Sequence, residues 1–114
     1  MTALPLPPAG DRSVWTLGSG SADQPTLRDR VDRATADLDA PWPLPLASTA
    51  ARVHRDGDRA AHEALVFGRQ RRLAHATVAA AATLEHRYVD AVADGVLLLC
   101  EQSSWCWPAH DDTF

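Results

Sequence analysis

A chain of 114 residues has room for one domain, or for part of a larger one. Its formal net charge of −4, with eleven dispersed arginines, leaves no electrostatic footprint for nucleic acid, and no run of 18 apolar residues exists to span a membrane. The apolar share of 46% is largely alanine, which buries little area per residue, so a thin core is expected.

Lysine, isoleucine and asparagine are absent. The three share AT-rich codons, so a GC-rich genome explains the omission, yet any mechanism that needs an Asn side chain is excluded. Met1-Thr2-Ala3-Leu4-Pro5 has neither a basic n-region nor an apolar h-region, so no secretory signal is read there. Two cysteines without a signal do not make a disulfide framework, and a cytoplasmic location is expected.

Residues 1–24 hold Pro5, Pro7, Pro8, Gly10, Gly18 and Gly20 and read as an irregular or disordered leader, with Trp15 its large apolar anchor. Residues 25–114 read as one helical domain. Pro25 suits a first helical turn, and Leu27, Val31, Ala34 and Leu38 recur at helical spacing, which predicts a helix over 26–38. Pro41, Pro43 and Pro45 must end it, and Trp42 between them is expected to be pinned into a neighbouring surface.

A short helix is expected over 47–54. The turn Asp56-Gly57-Asp58 follows, with Asp58 placed to cap a long helix over 59–83. Leu65, Gly68, Arg72, Ala76, Ala79 and Thr83 line one side of that helix, and Leu73, Ala80 and Leu84 widen the stripe. Its small residues would let another helix approach closely. Arg69, Arg71 and Arg72, the densest basic cluster, are read as a solvated face or as partners of carboxylates within the chain. A last helix over 87–101 would present Tyr88, Val92, Val96, Leu99 and Ser103, with Val89, Leu97 and Cys100 beside them. No segment alternates as a strand would. The expectation is all-α: antiparallel helical pairs ending in an aromatic loop.

That loop, Cys100-Glu101-Gln102-Ser103-Ser104-Trp105-Cys106-Trp107-Pro108-Ala109-His110, concentrates the chemistry-bearing side chains. Cys100, Cys106 and His110 are soft-metal ligand types, but their spacing matches no common zinc pattern and a fourth ligand is not evident. Cys100 reads as a small packed hydrophobe. Cys106 as a nucleophile would need His110 as its base. Trp105 and Trp107 could stack on sugar faces or stopper the core. Trp105, close behind the last helix, is expected to be buried near Leu99 or Val96, and Trp107 to be the more exposed. His54, His62, His75 and His86 are scattered, and His62-Glu63 opens no H-E-x-x-H motif. Glu101, Asp111 and Asp112 could serve as acid or base only if held near a substrate. No cofactor or metal is implied.

One ordered set of motifs resembles a known family. Val53-His54-Arg55-Asp56-Gly57-Asp58-Arg59 precedes Phe67-Gly68-Arg69-Gln70-Arg71-Arg72-Leu73. Tyr88-Val89-Asp90, Gly95-Val96-Leu97-Leu98-Leu99, Cys100-Glu101-Gln102-Ser103-Ser104-Trp105 and Pro108-Ala109-His110 follow. Over roughly residues 42–114 this order is similar to the early N-terminal region of bacterial heparinase II/III-like proteins. The resemblance implies part of an incomplete (α/α) toroid and a polysaccharide lyase that cleaves uronic-acid-containing glycans by β-elimination. It also implies an acidic polysaccharide as partner, with Trp105, Trp107 and His110 as candidate contacts.

The family's asparagine motif and the Tyr and His after it lie downstream of the Pro-Ala-His segment. This chain has no asparagine, and its one tyrosine is Tyr88, so no catalytic residue carries over. A truncated chain without lyase activity is therefore expected, as is self-association through an uncovered helix face. The rival expectations are a stand-alone all-α module that binds a protein partner and a non-catalytic glycan-binding fragment that uses Trp105 and Trp107.

Overall fold

The computed structural model describes residues 6–102 and 107. Among these residues it is all-α, with α1 (Arg12–Trp15), α2 (Gln24–Asp37), α3 (Ala47–Asp56), α4 (Ala60–Thr83) and α5 (His86–Cys100) and no strand. The helix limits fall where local chemistry sets them. The Thr26 N–H donates to the Asp23 carboxylate at 3.1 Å, and a proline stands in the first turn of α2. Beyond α2, Pro41, Pro43 and Pro45 remove the backbone donors that a helix would need. Gly57, at φ 77°, takes the left-handed conformation that closes α3. Asp58 accepts the Ala61 N–H at 3.2 Å and so satisfies one of the first amides of α4.

At 24 residues α4 is about 36 Å long, and it is the element against which α2 and α5 both pack. The core is thin, as the alanine content foretold. Ala34, Ala79 and Tyr88 form its buried centre, with Val31, Leu38 and Ala80 against them. Tyr88 is completely buried. Its hydroxyl lies 2.6 Å from Thr35 Oγ1, which already donates to the Val31 carbonyl at 2.7 Å. The tyrosine O–H therefore donates to Thr35 and ties α5 to α2.

α5 packs against α4. Gly95, nine residues into α5, lies against Leu73, ten residues before the end of α4. A Cβ at Gly95 would stand 2.9 Å from Leu73 Cδ1 and 2.9 Å from Trp42 Cη2, so this close approach needs glycine. On α4 the small residue at the shared core is Ala79, which clusters with Ala34 of α2 and Tyr88 of α5.

The face that α5 turns inward differs from the expected one. Tyr88, Ala91 and Gly95 are buried, whereas Val89 (45%), Val96 (48%) and Leu97 (59%) stand exposed, as does Cys100. Of the expected face Tyr88 is buried as foreseen, but beyond it the small Ala91 and Gly95 take the contact with α4, and Val96 turns outward. A similar turn applies to α4. Arg72, Ala76 and Ala79 are buried as expected, but Val66, Arg69 and Ala82 complete the stripe in place of Leu65, Gly68 and Thr83.

Within the described part of the leader, residues 6–24, α1 and the turn after it are tied to the end of α4. Arg12 in α1 donates from Nη1 to the Ala81 carbonyl at 2.6 Å and from Nη2 to Ala82 at 3.0 Å, and the Leu17 N–H reaches the Ala82 carbonyl at 3.0 Å. α3 touches α4 only sparsely. The accessible surface of 7442 Å² exceeds the ~6,100 Å² typical of a folded monomer of 12.3 kDa. The radius of gyration is 17.0 Å, against about 13 Å for a compact domain of this length.

Candidate functional site

The aromatic loop falls mostly outside the described residues. Trp105, Cys106 and His110 all lie there, and with them the expected burial of Trp105. Trp107 is described. It is half-buried, its ring 5.0 Å from that of Phe67 on α4 and tilted by 38°. Cys100, expected to pack against the apolar face, is instead exposed at the last position of α5. Among the described residues no group of three His, Cys, Asp or Glu side chains could hold a metal ion.

A different constellation is brought together by α2, α4 and the proline segment. Gly68, Arg71, Arg72 and His75 recur at the i, i+3, i+4, i+7 spacing of one helix face. They line a cleft of about 260 Å³ whose other walls are Asp37, Ala40, Pro41 and Pro43. The fold positions each part for a local reason. Asp37 is the last residue of α2, and the prolines hold the following segment extended across α4. Gly68 admits that segment, since a Cβ there would stand 3.3 Å from Pro43 Cγ.

The arginine cluster is divided: Arg71 is exposed, as a solvated face would have it, whereas Arg69 and Arg72 are neither solvated nor paired with carboxylates. Arg69 and Arg72 are each 8% exposed. Arg69 Nε donates to the Pro43 carbonyl at 2.5 Å, and Arg72 Nη1 donates to the Ala40 carbonyl at 2.7 Å. The Arg72 guanidinium also lies 4.3 Å from the centroid of the Trp42 ring, which fulfils the expectation that Trp42 is pinned. A proline-rich strand of chain cannot satisfy its own carbonyls through a ladder, so two long donors from α4 do so. Among the described residues no carboxylate lies within ion-pair distance of either buried guanidinium. Arg71, between them in sequence, is exposed and has no hydrogen-bond or ion-pair partner among those residues.

His75 and Asp37 face each other across the cleft, Nδ1 to Oδ2, at 3.4 Å. An ionised carboxylate can only accept, so the proton of this long hydrogen bond belongs on Nδ1. The side chain of His75 is 12% exposed and that of Asp37 36%. An Asp-oriented imidazole beside cationic side chains can move a proton or hold a polar ligand. No sequence signal marks this pair, whose members stand 38 positions apart. His62 is held differently: its Nδ1 is 2.9 Å from Thr49 Oγ1, and desolvation pushes its pKa below the usual value, against a smaller opposing pull from Glu63.

No family model matches the chain, and no curated protein matches it either.

Proposed function

We propose that this chain is a non-catalytic helical portion of a heparinase II/III-like polysaccharide lyase: antiparallel helical hairpins that form part of an incomplete (α/α) toroid beside an acidic-glycan cleft. The resemblance over residues 42–114 suggests it, and the all-α architecture is compatible with it. The observation that carries the non-catalytic half of this reading is Tyr88. β-Elimination from a uronate needs the carboxylate neutralised while a base takes the C5 proton. This chain has no asparagine, and the hydroxyl of its one tyrosine is buried and engaged by Thr35. In this reading Trp105, Trp107 and His110 touch glycan without performing chemistry.

The test is direct. The purified chain, given heparin, heparan sulfate or alginate, should yield no rise in the ultraviolet absorbance of an unsaturated product. Oligosaccharides of these glycans should quench tryptophan fluorescence saturably, less so in Trp107→Phe. Turnover that disappears in His110→Ala would overturn the non-catalytic reading, and absence of any glycan binding would overturn the glycan reading.

A second reading rests on α5. Val89, Ala93, Val96, Leu97 and Cys100 are exposed at i, i+4, i+7, i+8 and i+11, a continuous apolar stripe. In a toroid the next helical pair would cover it. In the isolated chain a second copy would, and the chain then acts as a self-associating interaction module.

A further inference from the structure

We propose that the cleft between the end of α2, the proline segment and the middle of α4 is a binding site for a small carboxylate monoanion, with Arg71 as its principal anchor. The inference stands on the cleft itself and does not rest on the lyase reading.

Charge comes first. Arg71 and Arg72 line the cleft against a single carboxylate, Asp37, which is already turned toward His75. A buried guanidinium bonded to one carbonyl and one indole face keeps most of its charge unneutralised, and burial without a counter-ion is costly. Arg71 adds a second guanidinium at the same cleft, with its five donors unused among the described residues. An anion placed here would gain a charge-assisted bond to Arg71 and lower the potential around Arg72.

Geometry and size narrow the class. A guanidinium fork matches the two oxygens of a carboxylate in a bidentate pair. Asp37 on the opposite wall disfavours a second negative charge on the ligand. Pro41 and Pro43 supply flat apolar surface and no N–H donors. The volume of about 260 Å³ lies below the ~300 Å³ where pockets for drug-sized ligands begin, so one small acid, or one acidic ring of a longer chain, fills it.

The experiment is a titration of the 15N-labelled chain, followed through the Arg71 Nε–H and the His75 ring signals. The probes are sodium acetate, sodium glucuronate, glucose and sodium sulfate, each at constant ionic strength. Acetate and glucuronate should give saturable shifts at these groups, with glucose and sulfate clearly weaker. Arg71→Ala, an exposed and fold-neutral change, should weaken carboxylate binding by about tenfold or more, the loss of one charge-assisted hydrogen-bond pair. Arg28→Ala, an exposed arginine nine residues before Asp37 on α2, should leave it unchanged. Absence of saturable shifts, an equal response to sulfate, or undiminished binding in Arg71→Ala would overturn the proposal. Acetate binding without glucuronate binding would uphold the carboxylate site and restrict its ligand to acids smaller than a sugar ring.

Discussion

The Arg72 guanidinium lies over the Trp42 indole at 4.3 Å and donates to the Ala40 carbonyl at 2.7 Å, so one α4 side chain fastens the proline segment by both stacking and hydrogen bonding. Truncation to alanine would remove a charged hydrogen bond worth about 1.5–3 kcal/mol and a cation–π contact worth about 0.5–2 kcal/mol. Arg72→Ala is expected to lower Tm by about 10 °C or more in thermal unfolding followed by circular dichroism. Arg72→Lys should recover only part of the loss, because the ammonium keeps the charge without the planar stack.

The outward stripe of α5 carries a solution consequence. Val96 is 48% and Leu97 59% exposed, on a helix whose inward face is already occupied by α4. Sedimentation over a wide concentration range should show reversible self-association. Leu97→Glu should abolish it without loss of helix content. A monomer at all concentrations in the wild-type chain would refute the interaction-module reading.

Gly20 is the most crowded of the three glycines before α2. A Cβ there would stand 2.1 Å from the Val14 carbonyl oxygen and 2.9 Å from the Thr16 nitrogen, both backbone atoms that cannot swing aside. Gly20→Ala should cost about 1–3 kcal/mol as an overpacking change. Hydrogen exchange would locate the damage, with protection of the Leu17 amide lost first.

Leu84 takes φ 56° to end α4 and is 52% exposed. A β-carbon in that region costs about 1–2 kcal/mol. Leu84→Gly removes this strain at the price of added freedom in the unfolded chain, so a net gain of up to about 1 kcal/mol is expected, read as a Tm rise of a few degrees.

His62 gives a pH signature. Desolvation lowers its pKa in the folded state below the unfolded value of 6.5, and Glu63 opposes this weakly. Between the two values the unfolded chain binds more protons, so the contribution is present above pH 6.5 and is lost as pH falls through the folded pKa. The drop in Tm from pH 7.5 to pH 5.5 should be smaller in His62→Gln than in the wild-type chain. An equal drop would show that His62 does not set this dependence.

Much of the fold was legible because its signals are local. Pro25, the proline segment, Gly57 and Asp58 each act within a few residues, and the four longer helices begin and end within about two residues of where those signals put them. The orientation of α5 was not legible. The sequence pattern points to a face of Tyr88, Val92, Val96 and Leu99, of which Tyr88 is buried. The contact with α4 is completed by Ala91 and Gly95, residues too small to register in a hydrophobic stripe. The cleft was not legible either. Asp37 and His75 meet through packing, and arginines that look like surface residues are drawn in by the carbonyls of a segment with no donors of its own.

The bonds from Arg12 to Ala81 and Ala82 join residues 69 and 70 positions apart, and the Leu17 amide adds a third bond to the same turn. The final carbonyls of α4 are thus capped from the opposite end of the chain. Closing so long a loop costs entropy before any contact returns it. During refolding, α4 and α5 can pair through contacts near in sequence, while the last turn of α4 waits for the N-terminal segment to arrive. Docking of that segment is then the slow, non-local event, and a chain that begins after Ala22 would refold faster while its α4 terminus stays frayed.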